Sequence, residues 1–194
     1  PAAAGKDTTV LMIGDYSNGN DGVVLKNGAS LADLKGRSVN LVELSVSHYL
    51  LARALEKAGL KMSDVKTINT SDADIVAAFG AKETQALVTW NPQLSEVKKA
   101  PGATEVFDSS KIPGEILDGL MVSTEALKAN PNLGKALTGI WYETMALTVA
   151  QTPEGKAARE QMAKLSGADL ASFEGQLKTT HLYAEPKAAL AATV

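Results

Sequence analysis

The sequence predicts an α/β fold built on a parallel sheet with helices on both faces. Two observations carry this. Between Ser38 and Trp90, short β-branched apolar runs alternate with segments of helical period, and the last third of the chain repeats its apolar residues at helical spacing alone. The first run, Thr8 to Ile13, reads as a strand. Gly14 to Gly22 reads as a loop of turn-forming residues, and Val23 to Leu25 as a second strand. Asn27-Gly28 turns the chain, and Ser30 to Gly36 makes a short helical turn before a strand from Ser38 to Glu43.

In the next segment Leu50, Leu51, Ala54, Leu55 and Ala58 line one helix face, and Gly59 stands where a left-handed residue ends a helix. Asp64 to Thr70 is a strand carrying Val65 and Ile68. Ile75, Val76 and Phe79 mark a short helix closed by Gly80, and Gln85 to Trp90 is the next strand. The order β-α-β-α-β favours parallel strands with right-handed crossovers. Beyond Pro101 the pattern loosens through Gly102, Pro113 and Gly114 until Leu120-Met121-Val122 offers a strand. Leu133 to Ala150 carries Leu137, Ile140, Trp141, Met145 and Val149 on a broad apolar face. Pro153 opens a helix that Gly167 ends, Asp169 to Leu177 forms one more, and the Ala-rich tail after Pro186 is left unassigned.

Composition narrows the function classes. The chain has 194 residues, 19 Lys+Arg against 22 Asp+Glu and a net charge of -3, with dispersed lysines and few aromatics, so it has no basic stripe for nucleic acid. No apolar run is long enough to span a bilayer, and Pro1 to Asp7 lacks the basic start and apolar middle of a secretion signal. Without cysteine there is no disulfide, thiolate nucleophile or Cys-based zinc site.

In an open parallel sheet, ligands sit beyond the carboxyl ends of the strands. Those ends deliver Glu43-Leu44-Ser45-Val46-Ser47-His48, then Asn69-Thr70-Ser71-Asp72, then Trp90-Asn91-Pro92, all rich in short polar side chains. Ser45, Ser47 and Asp72 also suit plain helix capping, and Trp90 suits plain packing. The loop Gly14-Asp15-Tyr16-Ser17-Asn18-Gly19 has P-loop glycine spacing, but Asn20-Asp21 stand where Lys-Ser or Lys-Thr is needed, and as a calcium loop it lacks the glycine position and distal glutamate. It faces the same cleft or is a solvated turn. Neighbouring Ser47 and His48 diverge by about 100° on a helix and form no nucleophile–base pair. A triad with His181 lacks the Gly-x-Ser-x-Gly elbow, and two histidines without His-x-x-x-His give no zinc site.

Read in order, "LADLKGRSVNLVELSVSHYLLARALEKAGLKMSDVKTINTSDADIVAAFGAKETQALVTWNPQLSEV", Leu31 to Val97, resembles the second lobe of ABC-transporter substrate-binding proteins of the nitrate/sulfonate/taurine type. The likeness is carried by a Leu-Lys-Gly strand, a serine-bearing loop, a Leu-Leu helix, Gly-Leu, Asp-Val, an Ala-Ala-Phe helix and a strand ending Trp-x-Pro. It covers about a third of the chain in detail. "VLMIGDYSNGNDGVVLK" is similar to the family's first crossover between lobes and "ILDGLMVSTEALKANP" to the return. The wording is closest to the branch linked with urea carboxylase.

The resemblance implies a type II periplasmic-binding-protein-like fold: residues 1–22 as part of lobe I and the first crossover, 23–113 as lobe II, and 114–194 as the return crossover and helical part of lobe I. It further implies a fragment of a longer receptor, a periplasmic or extracytoplasmic location, no cofactor or metal, and a membrane permease of an ABC importer as partner. The receptor would act by lobe closure, with no insertion into the membrane and no nucleic acid bound.

A site for nitrate or sulfonate wants helix N–H groups and a cationic or neutral donor, and a nearby carboxylate would repel it. Glu43, Asp15 and Asp72 stand in these loops without any Lys or Arg at the strand ends, so the expected solute is a planar nitrogen compound such as urea, guanidine or a small amide, with Trp90 stacked on its face. The expected solute-binding residues are Asp15, Asn18, Glu43, Ser45, Ser47, His48, Asp72 and Trp90, with none catalytic. The alternatives are a nitrate, sulfonate or taurine receptor, an enzyme on the same scaffold resembling pyrimidine-precursor synthases, and a cytoplasmic sensor using the same pocket.

Overall fold

A computed structural model describes residues 5–192; residues 1–4 and 193–194, the outermost parts of the expected lobe I segments, lie outside it. The chain divides into two compact units. One runs from Ser17 to Ile116, and the other comprises the described residues up to Tyr16 and from Leu117 onward. The sequence alone places these divisions at 22/23 and 113/114.

In chain order, β1 (Thr8–Ser17) is followed by β2 (Asp21–Lys26), a 3-10 turn (Leu31–Leu34), β3 (Ser38–Leu41), α1 (Val46–Lys57), β4 (Lys66–Asn69), α2 (Ile75–Gly80), β5 (Ala86–Trp90), α3 (Gln93–Val97) and β6 (Ala103–Asp108). The sheet of the 17–116 unit has the order β4-β3-β5-β2-β6. β3 is parallel to β4 (Val39↔Thr67) and to β5 (Asn40↔Leu87), whereas β2 is antiparallel to β5 (Val23↔Val88) and to β6 (Val23↔Phe107). The sheet is therefore parallel on the β4-β3-β5 side and mixed on the other.

Alternation along the strands sorts the core into two layers. Val23, Leu25, Val39, Leu41 and Val88 face α1, packing with Leu50, Leu51, Ala54 and Leu55. Val24 and Leu87 face the other way, onto Ile75 and Phe79 of α2 and Leu94 and Val97 of α3. Helices on both faces follow from strands that are apolar on both sides. Gly59, at φ +69, ends α1, and the Leu60 N–H returns to the Leu55 carbonyl at 2.8 Å.

The other unit holds a three-stranded sheet and five helices among the described residues: β7 (Leu117–Ser123), α4 (Thr124–Ala129), α5 (Leu133–Val149), α6 (Pro153–Ser166), α7 (Leu170–Lys178), β8 (Thr180–Leu182) and α8 (Pro186–Ala191), with strand order β7-β1-β8. Arg159 of α6, buried, donates to the Thr148 and Ala150 carbonyls at the end of α5 and pairs with Glu174 of α7 at 2.8 Å, so one guanidinium ties three helices. Tyr16 stacks on His181 with ring centroids 4.5 Å apart, and Tyr183 meets His181 edge-on.

Several sequence expectations need correcting. The Gly14–Gly22 loop is mostly strand, because pairing with β7 through Tyr16↔Leu117 and with β5 through Asp21↔Trp90 gives its polar residues backbone partners. β6 goes unread because its Thr104 and Glu105 break the apolar run, yet β2 supplies a ladder. The short α3, α4 and β8 have too few residues to show a period.

Candidate functional site

The carboxyl ends of β3, β4 and β5 lie at one edge of the 17–116 sheet, joined there by the start of β2, through Asp21↔Trp90, and the end of β6, through Gly22↔Asp108. Five segments leave this edge: 17–21, 42–45, 70–74, 90–93 and 108–110. None contains lysine or arginine.

The turn after β3 is built by side-chain bonds to backbone. Ser45 caps α1, its Oγ accepting the Ser47 N–H at 3.1 Å while donating to the Val42 carbonyl at 2.7 Å. Asn69 Oδ1 accepts the Glu43 N–H at 3.1 Å, and His48 Nδ1 accepts the Leu44 N–H at 3.2 Å. A neutral His48 therefore carries its proton on Nε2. With its own N–H and that of Glu43 so anchored, Leu44 is held at φ +62 and is 94% exposed. A left-handed conformation costs a non-glycine residue roughly 1–2 kcal/mol.

Of the expected binding residues, Glu43 is exposed and its carboxylate accepts the hydroxyl of Thr67 on the edge strand β4 at 2.9 Å. Ser47 is fully buried, and its Oγ has no partner among the described residues. Asp72 Oδ2 accepts from Gln93 Nε2 at 2.8 Å, while Asp72 Oδ1 and Gln93 Oε1 are buried without a donor among the described residues. Trp90 is half-buried opposite Asp21, and Asn18 is exposed in the short 18–20 turn. That turn is gripped from below: Ser17 Oγ contacts Ser109 Oγ at 2.6 Å and Asp21 Oδ2 at 2.5 Å, and Ser109 Oγ accepts the Gly19 N–H at 2.8 Å.

Asp15 belongs to the other unit. It stands on β1 opposite Asp118 of β7, lining a cavity of about 140 Å³ with Met12, Gly14, Leu120 and Trp141. Burial first, and the Asp118 charge second, push its pKa up to about 6. His181, weighed above as a triad partner for Ser47, also lies in that unit.

Sequence reasoning missed Asn40, Gln93 and Leu44. Asn40 is buried in β3, pointing away from Val39 and Leu41, with Nδ2 donating to Thr70 Oγ1 at 2.9 Å and Oδ1 unpartnered among the described residues. An Asn inside a four-residue strand was the available signal, because a buried amide needs partners on both ends. Each buried acceptor left without a donor costs about 1–3 kcal/mol. Three such oxygens, on Asn40, Asp72 and Gln93, belong to elements that meet at this edge. The arrangement gathers buried oxygens with unused acceptor capacity at one edge, where the half-buried Trp90 ends β5 and Ser47 lies in the first turn of α1. Among the described residues no group of His, Cys, Asp or Glu could hold a metal ion, and no helix is long and apolar enough to cross a membrane.

Comparison with known proteins agrees with this architecture. A family model described as NMT1/THI5 like matches residues 3–154. A Brucella abortus (strain 2308) protein, provisionally named a binding protein, is 28% identical over 155 residues, 78% of this chain and 49% of the relative. The chain thus spans about half the length of the curated relatives of this kind. An Escherichia coli (strain K12) protein provisionally named as aliphatic-sulfonates-binding is 36% identical over 83 residues, 43% of this chain and 26% of the relative. Among solved structures, the alkanesulfonate-binding protein SsuA from Xanthomonas axonopodis pv. citri, bound to MOPS, superposes with a TM-score of 0.76 at 21% identity, covering 98% of this chain and 67% of that one. The desulfurization enzyme DSZB gives a TM-score of 0.62 at 17% identity, covering 88% of this chain and 64% of that one. These likenesses establish the α/β fold of the periplasmic binding proteins, a fold that enzymes also use.

Proposed function

This chain belongs to the NMT1/THI5-like family, and from that premise we propose that it is the solute-holding part of an extracytoplasmic receptor that hands a small molecule to the membrane permease of an ABC importer. The relatives named as binding proteins support the receptor reading over an enzyme. We assign the solute to the planar, N–H-bearing class: urea, guanidine or a small amide. The observation that carries this is the pair of buried acceptors Asp72 Oδ1 and Gln93 Oε1, bridged by their own hydrogen bond and without a donor among the described residues. N–H groups of a solute would satisfy both, and charge-assisted bonds to a carboxylate are the stronger kind. Trp90 offers its ring as a stacking face. No bond of the solute is made or broken; the mechanism is differential binding alone.

A sulfonate or nitrate is the second reading. The names of the relatives favour it, as does the Ser47 hydroxyl, without a partner among the described residues, in the first turn of the 12-residue α1, where helix N–H groups attract anions. Calorimetric titration with guanidinium, urea, acetamide, nitrate and ethanesulfonate separates the two. The nitrogen reading expects guanidinium or urea to bind, and Asp72→Asn to weaken that binding by about tenfold or more. Binding of ethanesulfonate with none of the nitrogen compounds overturns it in favour of the second.

A further inference from the structure

A single exposed leucine needs no explanation on a protein surface. Leu44 differs because its backbone is held in a conformation that glycine takes freely and leucine resists, at φ +62, while the residue is 94% exposed. The fold gains no packing from that side chain. Three side-chain bonds nevertheless fix its turn: Asn69 Oδ1 on the Glu43 N–H, His48 Nδ1 on the Leu44 N–H, and Ser45 Oγ on the Val42 carbonyl. The turn is thus locked around an apolar side chain presented at the strand-end edge, immediately before the cap of α1.

Strain of this kind is found where a residue serves binding rather than stability. Resting on the reading of this edge as a solute site, we propose that Leu44 is a specificity-determining residue that covers the carbon skeleton of the bound solute, and that His48 and Asn69 are positioning residues that hold it there. The solute is then an N-substituted member of its class, a polar head bearing an alkyl group, rather than the bare head alone. Glu43, beside it, is directed to Thr67 of β4, whose hydroxyl it accepts at 2.9 Å.

The test is a homologous series titrated by calorimetry into the wild-type chain, Leu44→Gly and Leu44→Asn: guanidinium, methylguanidinium and butylguanidinium, beside methanesulfonate and butanesulfonate. Glycine and asparagine both accept a left-handed backbone, so neither variant loses thermal stability. In the wild type, affinity rises by up to about fourfold per methylene covered. In both variants that increment collapses while affinity for the unsubstituted head is kept. An increment that survives in Leu44→Gly overturns the proposal, as does a wild-type series with no gain from alkylation. If only the sulfonates bind, the nitrogen reading falls and the Leu44 proposal is judged on the sulfonate series. If nothing binds, both fall. His48→Gln, which keeps an acceptor, restores the increment that His48→Ala loses.

Discussion

Asp15 faces Asp118 across the β1–β7 ladder, half-buried beside Trp141, and its carboxyl is held at a pKa of about 6, first by burial and then by the Asp118 charge. A raised carboxyl pKa means that ionisation is disfavoured in the folded chain. The neutral form therefore supports stability below the unfolded value near 4, and that support is lost as pH rises through about 6. Asp15→Asn should raise the thermal midpoint at pH 7.5 and give no gain at pH 4; equal gains at both would contradict the assignment of the charge to Asp15. This residue also shows the limit of a sequence reading. Asp15 was legible as polar, but its place on β1 opposite Asp118 depends on a pairing 103 positions away. Ser45, as the cap of α1, was legible because capping is local. Gln93 was not, since its partner Asp72 lies on a different loop and nothing local marks it.

α1 is the element the sequence describes best, because its apolar face, its Ser cap and its closing Gly59 all agree. Two predictions belong to it. Ser45→Ala removes both the cap on the Ser47 N–H and the bond to Val42, and should lower unfolding free energy by about 1 kcal/mol in urea titration. Leu50→Ala, at a fully buried site against the sheet, should cost about 2–5 kcal/mol. A cost below 1 kcal/mol would mean that α1 does not pack on Val39 and Leu41 as described. β2 and β6 were harder. Direction is not written in a strand's composition: the β-α-β-α-β run from Ser38 to Trp90 is parallel as expected, whereas β2, outside that alternation, joins it antiparallel and β6 pairs antiparallel with β2.

The whole molecule divides where the chain passes from Tyr16 to Ser17 and from Ile116 to Leu117. Within the 17–116 unit the two ends are bonded, Ser17 N–H to the Ile116 carbonyl at 2.9 Å, and the core lies inside it on both sides of one sheet. Residues 17–116 expressed alone should therefore unfold cooperatively, as read by circular dichroism in urea; a broad, non-cooperative loss of signal would show that the unit depends on the rest of the chain. At this scale the sequence showed the alternation, the helical last third and the family likeness. It also showed that the loops after Glu43, Asn69 and Trp90 share an edge, since that follows from the β-α-β order; it did not settle that segments 17–21 and 108–110 join them, because that is set by how β2 and β6 pair.

The central claim is that this edge holds the solute. It is tested by following amide, side-chain amide and indole NMR resonances during titration with guanidinium or with whichever homologue binds. The Gln93 and Asn40 side-chain amides, the Trp90 indole and the backbone N–H groups of Leu44 to Ser47 should shift together and saturate at one affinity. Shifts confined to the unit that contains Asp15, His181 and Trp141, with these resonances unmoved, would contradict the account.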